Sequence, residues 1–300
     1  MYLSKKRNFR MLVCPKCNNI FKGASEYNCT DCNIKYSIVD NVPYFYPDIN
    51  NEYPDINNEG YNFNEYKIEI DKIANAEKNH FWSKSRRSLI RQVFNKFISK
   101  DEKIIEIGAG TGSIAQMLSS NDYDLSIGEI HPNGIEYALE NNINNLEIYQ
   151  FNIMNNPFKN HFDTVGLFDV LEHIEDDRLA IQNIHNMLTT NGKVVLTVPA
   201  HMWLWCEEDE VSNHFKRYEL DDLKQLLVDN GFSITYATNF FISIIPLLYL
   251  RTQSKSSDEI KINPVINFIL LLISNIENKA LKFLSSKVGG SIIIVAEKEN

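Results

Sequence analysis

Two groups of residues in this sequence have types and spacings that can do chemistry. One is Cys14-Pro-Lys-Cys17 followed, eleven residues later, by Cys29-Thr-Asp-Cys32. Each C-x-x-C holds two thiolates on one side of a tight knuckle, and two knuckles complete a tetrahedral sulfur set that suits zinc. All four positions are cysteine, so no coordination site stays open and the metal is expected to be structural. A segment this short buries too little apolar surface to fold alone, whereas a structural zinc supplies on the order of 10–16 kcal/mol of apparent binding energy. The other group is Glu106-Ile107-Gly108-Ala109-Gly110-Thr111-Gly112, at the end of the apolar stretch from Lys103 to Ile107. That stretch reads as a buried parallel strand, and 113–119 beyond it as a helix. Strand, glycine turn and helix together make a nucleotide-binding unit. A dinucleotide site needs G-x-G-x-x-G/A, but here the third glycine falls one residue early and Ser113 takes the last small position.

Further polar residues stand where strands are expected to end. Glu129 follows the glycine turn by about twenty residues, a spacing at which a carboxylate can accept from both hydroxyls of a ribose. Ile130 beside it can lie against a base. A third strand ends in Phe151-Asn152-Ile153, and a fourth in Phe168, followed by Asp169-Val-Leu-Glu172-His173-Ile174. His173 and, after a fifth strand, His201 titrate near neutral pH and are candidate general bases, with Glu172 placed to orient an imidazole. A structural or solvated histidine is the competing reading for each. The segment from His201 through Trp203, Trp205, Asp209 and His214 to Arg217 reads either as an acceptor-binding loop or as a packed surface loop.

The elements that must position these residues alternate. Strands are expected at 103–107, 124–130, 146–151, 162–168, 193–199, 233–239 and 291–297, with helices at 113–119, 132–141, 177–188 and 219–230. Such alternation predicts an α/β, Rossmann-like, mostly parallel seven-stranded sheet with helices on both faces. Ligands of such sheets lie at the carboxyl ends of the strands. Ahead of the first strand, helical patterning over 65–100 surrounds His80-Phe81-Trp82-Ser83 and Arg86-Arg87, which read either as a lid over the site or as aromatics packing helices onto the sheet.

The E-x-G-x-G-x-G turn, Glu129 and the Glu172-His173 segment, together spanning residues 104–199, resemble the class I S-adenosylmethionine-dependent methyltransferases. The resemblance implies S-adenosylmethionine as cofactor, bound by Glu106, Gly108, Ala109, Gly110, Gly112, Glu129, Ile130, Asn152, Ile153 and Phe168. Asn152 stands where the family commonly has aspartate, and its side-chain oxygen still accepts a hydrogen bond from an adenine amine. No Asn/Asp-Pro-Pro-Tyr motif follows the fourth strand, which disfavours exocyclic-amine and glutamine-amide methylation; no cysteine stands there for pyrimidine C5 chemistry. The cysteine array resembles the zinc ribbons ahead of some bacterial methyltransferase domains, certain ribosomal RNA guanine methyltransferases among them. Three readings follow: O- or N-methylation of a small-molecule or lipid-linked acceptor, methylation of an RNA base, or a non-catalytic adaptor that keeps the fold.

Three hundred residues with 44% hydrophobic content suffice for one sizeable core and a small appendage. The expected organisation is a ribbon over 1–45, a linker over 46–65 containing the heptapeptide Tyr46-Pro-Asp-Ile-Asn-Asn-Glu52 and its identical copy at 53–59, and a methyltransferase domain over 66–300. A net charge of −9 gives no global support for nucleic-acid binding, although Lys5, Lys6, Arg7, Arg10, Lys16 and Lys22 make the N-terminus locally basic. Thiol-rich metal chemistry and the lack of a signal-like apolar stretch point to the cytoplasm. The longest apolar runs, 240–250 and 265–273, fall well short of the about 20 residues that span a bilayer, and the second belongs to an apolar helix expected over 264–284. They read as core, as a homodimer interface, or as an acceptor tunnel with peripheral membrane contact.

Overall fold

The computed structural model describes residues 11–21, 27–46, 70–71, 73–75, 77–140, 146–253, 263–281 and 284–299. The basic residues at 5–10 and Lys22, and nearly all of the duplicated heptapeptide, lie outside the described residues. The chain opens with short strands β1 (Met11–Leu12), β2 (Asn28–Cys29) and β3 (Ile34–Lys35), then a hairpin of β4 (Ser37–Val39) and β5 (Val42–Tyr44). Asp40 and Asn41 join that hairpin at φ of 51° and 65°, the left-handed pair a tight two-residue connection demands.

Helix α1 (Phe81–Phe97) leads into β6 (Lys103–Ile107), α2 (Ser113–Ser119), β7 (Asp124–Glu129), α3 (Pro132–Glu140), β8 (Glu147–Gln150), β9 (Phe158–Lys159) and β10 (Phe162–Phe168). Next come α4 (Asp177–Met187), β11 (Leu188–Pro199), α5 (Glu207–Val211), α6 (Leu220–Val228), β12 (Phe232–Phe240), α7 (Ile245–Thr252), α8 (Pro264–Ala280) and β13 (Ser291–Lys298). Local chemistry sets several ends. Asp176 accepts from the Leu179 amide at 3.0 Å to start α4, and Asn263 accepts from Val265 at 2.9 Å while Pro264 opens α8.

The main sheet runs β12-β13-β11-β10-β6-β7-β8-β5-β4. Its first seven strands are those expected from the sequence, parallel from β11 to β8, with β13 antiparallel to both β11 and β12. The ribbon hairpin then extends it: Tyr44 pairs with Gln150 across a parallel β5–β8 junction, and β1 pairs antiparallel with β9. The ribbon is therefore docked on the sheet, and Phe21, Tyr27 and Tyr36 cluster around Phe45, which meets Phe158 at 6.4 Å.

Strands buried on both faces need unbroken apolar runs, and Ile292 to Ala296 in β13 are all 0% exposed. One apolar core lies under α4 and α6, around Ile181, Ile184, Leu223 and Leu227. The other lies under α1, α2 and α3, around Leu89, Phe94, Leu118 and Ile135. Chain order reverses between β6 and β10, so the carboxyl ends of these two strands open the crevice where a ligand of such a sheet belongs.

Candidate functional site

Gly108, Gly110 and Gly112 have φ of 68°, 52° and 69°, a region that side chains with a Cβ enter only under strain. This explains the alternate spacing: the chain must turn left-handed at every second residue between β6 and α2. A Cβ on Gly110 would point into open space with nothing within 4 Å, so the loop offers bare backbone to a ligand. Gly108 donates to the Gly128 carbonyl at 2.8 Å, which locks the loop to β7. Glu129, buried at the end of β7, completes the clamp: one carboxylate oxygen accepts from Ile130 and His131 at 2.8 and 2.9 Å, the other from Gly110 at 3.1 Å. Three bonds leave a carboxylate with acceptor capacity to spare.

Glu106 is 2% exposed and its Oε2 has no partner. Burial pushes its carboxyl up to about 8, against the lowering pull of Arg86. An orphaned buried carboxylate beside a bare glycine loop fits a ligand carrying a cationic or N–H donor group. Asn152 accepts from the Met154 amide at 2.9 Å through Oδ1, which retains a second lone pair. Ile153 is buried near it, whereas Phe168 packs into the core against Phe94 at 6.2 Å.

Beside the loop lies a cleft of about 1020 Å³. Its walls come from the helical residues Asn75, Glu77 and Asn79, from α1 (Trp82, Arg86), from the turn after β10 (Asp169, Glu172, His173), from the segment after β11 (Cys206, Asp209, His214, Arg217), and from α7 and α8. Glu77 hydrogen-bonds the Thr111 hydroxyl, and Arg86 pairs with Asp169, so the region ahead of β6 is fastened across the glycine loop and the end of β10. Trp82 also stacks on Phe241 at 4.0 Å. This region lines the cleft and packs on the sheet.

Residues 78–237 match the family described as a methyltransferase domain, more than half of the chain. The chain belongs to that family. Its α/β Rossmann-like fold is the one the sequence leads one to expect of an S-adenosylmethionine-dependent methyltransferase. An uncharacterised methyltransferase of Staphylococcus carnosus (strain TM300) is 27% identical over 139 residues, which are 45% of this chain and 64% of that protein; the chain thus spans under two thirds of that relative's length. Among solved structures, a candidate methyltransferase in complex with the Trm112 methyltransferase activator of Haloferax volcanii superposes with a TM-score of 0.55 over 79% of this chain and 97% of that one, at 12% identity. A candidate sarcosine dimethylglycine methyltransferase from Galdieria sulphuraria gives 0.51 over 78% and 98%, at 13% identity. Both likenesses are of fold.

In the methyltransferase, two of the three expected catalytic residues, Glu172 and His173, line the cleft. His201 lies outside its lining: Nδ1 is 2.8 Å from Glu219, Nε2 is 3.4 Å from the Asn239 amide, and the ring stacks on Trp203. Trp203 is 49% exposed, so the aromatic anchor of the cleft is Trp82 instead. Asp209 is the hub of the post-β11 segment. It accepts from Arg217 at 2.8–3.0 Å, from the Cys206 amide at 2.9 Å, and lies 2.8 Å from His214 Nδ1. Burial opposes its ionisation, yet the bonds from His214 and Arg217 prevail and bring it to about 2. Sequence reading leaves this segment either an acceptor-binding loop or a packed surface loop and does not separate Asp209 and His214 from their neighbours; the contrast of acid, imidazole and guanidinium within nine residues is the available signal.

The four knuckle cysteines come together, with every sulfur within 4.8 Å of the others. The sulfur set fits a tetrahedral thiolate site, whose S···S edges are about 3.8 Å when Zn–S is about 2.3 Å. Burial raises the Cys14 thiol, but hydrogen bonds from Tyr36 and from the Cys17 and Lys16 amides outweigh it and bring it to about 7.

Proposed function

We propose that this methyltransferase acts on an oxygen or nitrogen of an acceptor with a lipid-like tail, working at a membrane surface. The observation that carries the reading is the inverted packing of α8. Its polar side chains face the protein: Asn278 donates to the Ser85 carbonyl and hydroxyl at 2.9 Å each, Asn267 bonds Asn79 and Phe81, and Glu277 accepts from Ile242 and Ser243 at 2.9 Å. Its apolar side chains face outward, with Val265 66%, Phe268 59% and Ile276 68% exposed. No charged residue interrupts 264–276. Leu247, Leu248 and Arg251 of α7, with Pro264 and Asn267 of α8, form one wall of the cleft, so the apolar face begins at the cleft's rim. An exposed surface of this kind marks an interaction site. No described helix is long and apolar enough to cross a membrane, so the contact would be in-plane.

When bound, S-adenosylmethionine supplies a sulfonium methyl that departs with good leaving-group chemistry. The protein's own task is alignment and removal of water and a proton. Gly108, Ala109, Gly110 and Gly112 would receive the cofactor's backbone-facing edge, Glu129 its ribose hydroxyls, Ile130, Asn152 and Ile153 its adenine, and Glu106 its methionine ammonium. Glu172, His173 and His214 form the polar end of the acceptor cleft, and His201 positions the following segment. The cysteines would hold a structural zinc. Vesicle flotation tests the membrane reading with phosphatidylcholine–phosphatidylglycerol liposomes and the variant Phe268→Asp/Ile269→Asp. Wild type is expected to float and the variant to remain in the dense fraction, with equal S-adenosylmethionine affinity. Wild type that stays in the dense fraction, particularly as a dimer by light scattering, overturns it.

A further inference from the structure

Methyl transfer to an oxygen or nitrogen does not by itself explain the arrangement at the polar end of the cleft. Glu172, His173 and His214 each present a ligand-capable atom, all within 4.8 Å of one another. The first two sit on the 3₁₀ turn after β10 and the third in the segment after α5. That segment is stitched to the turn by the Phe215 amide, which donates to the Glu172 carbonyl at 2.8 Å. The two imidazoles stand edge to face, 4.6 Å between centroids.

The His214 ring has one nitrogen already engaged, Nδ1 lying 2.8 Å from Asp209 Oδ1. One occupied nitrogen fixes the tautomer and leaves the other with a lone pair, which is how metal-binding imidazoles are held by a carboxylate or carbonyl behind them. Glu172 is 1% exposed and its Oε2 has no partner. A buried carboxylate oxygen without a donor is costly unless a cation meets it. Of the neighbouring guanidiniums, Arg86 pairs with Asp169 and Arg217 with Asp209, and neither hydrogen-bonds Glu172.

We propose that Glu172, His173 and His214 form a binding site for a divalent transition-metal ion in the acceptor cleft, distinct from the cysteine cluster. Two imidazoles and one carboxylate suit zinc, cobalt, manganese or iron, whereas magnesium and calcium favour all-oxygen sets. His173 is exposed to the cleft, so the coordination positions left by the protein face the space the acceptor would enter. An ion there would bind an acceptor oxygen and ease loss of its proton. That use rests on the acceptor reading of the cleft; the metal site itself does not.

The test compares metal content of the full-length wild type, His173→Ala and His214→Ala after incubation with Zn²⁺ and dialysis. Each variant is expected to hold one equivalent less than wild type, whatever the cysteine cluster retains. With Co²⁺, wild type should add weak visible bands of nitrogen and oxygen ligation that both variants lack. Equal metal content in wild type and His173→Ala, whose exposed side chain makes it the variant least prone to misfold, overturns the proposal. Titration of S-adenosylmethionine on the same samples separates the claims. Retained cofactor binding without the extra metal sinks the metal site alone, and absent cofactor binding with the extra metal present sinks the donor-site reading alone.

Discussion

At the scale of single residues Gly110 is the test of the proposed donor site, because its side is open and its φ is positive. Gly110→Ala adds about 1 kcal/mol of left-handed strain and a methyl group where the cofactor must approach. Isothermal titration should find S-adenosylmethionine affinity at least about tenfold weaker, with unchanged circular dichroism. Glu106 gives a pH signature. Its folded value of about 8 lies above its ordinary 4.5, so the stability tied to its neutral form is complete below about 4.5 and is lost as pH rises through about 8. Glu106→Gln removes that loss. In denaturant unfolding of cofactor-free protein, the variant should gain on wild type by ~1–3 kcal/mol between pH 5 and pH 8, while binding the cofactor more weakly. A pH-independent difference would mean that Glu106 is not the titrating group.

Helix α8 inverts the usual relation between polarity and burial, which makes its stability response unusual at the scale of elements. Asn278 is 1% exposed and ties α8 to α1 through Ser85. Asn278→Ala leaves buried groups of Ser85 without a donor and should cost about 1–3 kcal/mol in thermal or chemical unfolding. Phe268→Asp, on the outward face, should change stability by less than about 0.5 kcal/mol. Equal costs would mean that the outward face is covered in solution. The β4–β5 hairpin is the other telling element. Asp40-Asn41 announces it locally, yet the junction of β5 with β8 unites segments more than a hundred residues apart.

The ribbon is part of the sheet at the scale of the whole molecule, through β5 on β8, β1 on β9 and the aromatic cluster around Phe45. The zinc proposed for the cysteine cluster should therefore stabilise the entire domain. Chelation, or Cys14→Ser, is expected to lower the main cooperative melting transition by several degrees and to reduce cofactor affinity, as followed by near-ultraviolet circular dichroism. A main transition that stays fixed while only a small separate one disappears would mean that the ribbon folds independently of the sheet.

The sequence by itself determined the parts that are local. Apolar runs bounded by turns place the seven strands, because strands covered on both faces must be continuously hydrophobic. The alternate glycines mark the left-handed turns, since only glycine enters that region without strain. The two C-x-x-C knuckles bring their sulfurs together by spacing alone. Tertiary structure decided what depends on distant residues meeting. It drew Glu172 and His173 beside His214 and took His201 out of the cleft lining, because segments after β10 and β11 converge only at the sheet's carboxyl edge. It made the ribbon an edge of the sheet. It also turned the apolar face of α8 outward, because Asn267 and Asn278 of that helix found hydrogen-bond partners on α1 and the residue just ahead of it; a periodic pattern records which face is apolar, and only packing decides which face is inside.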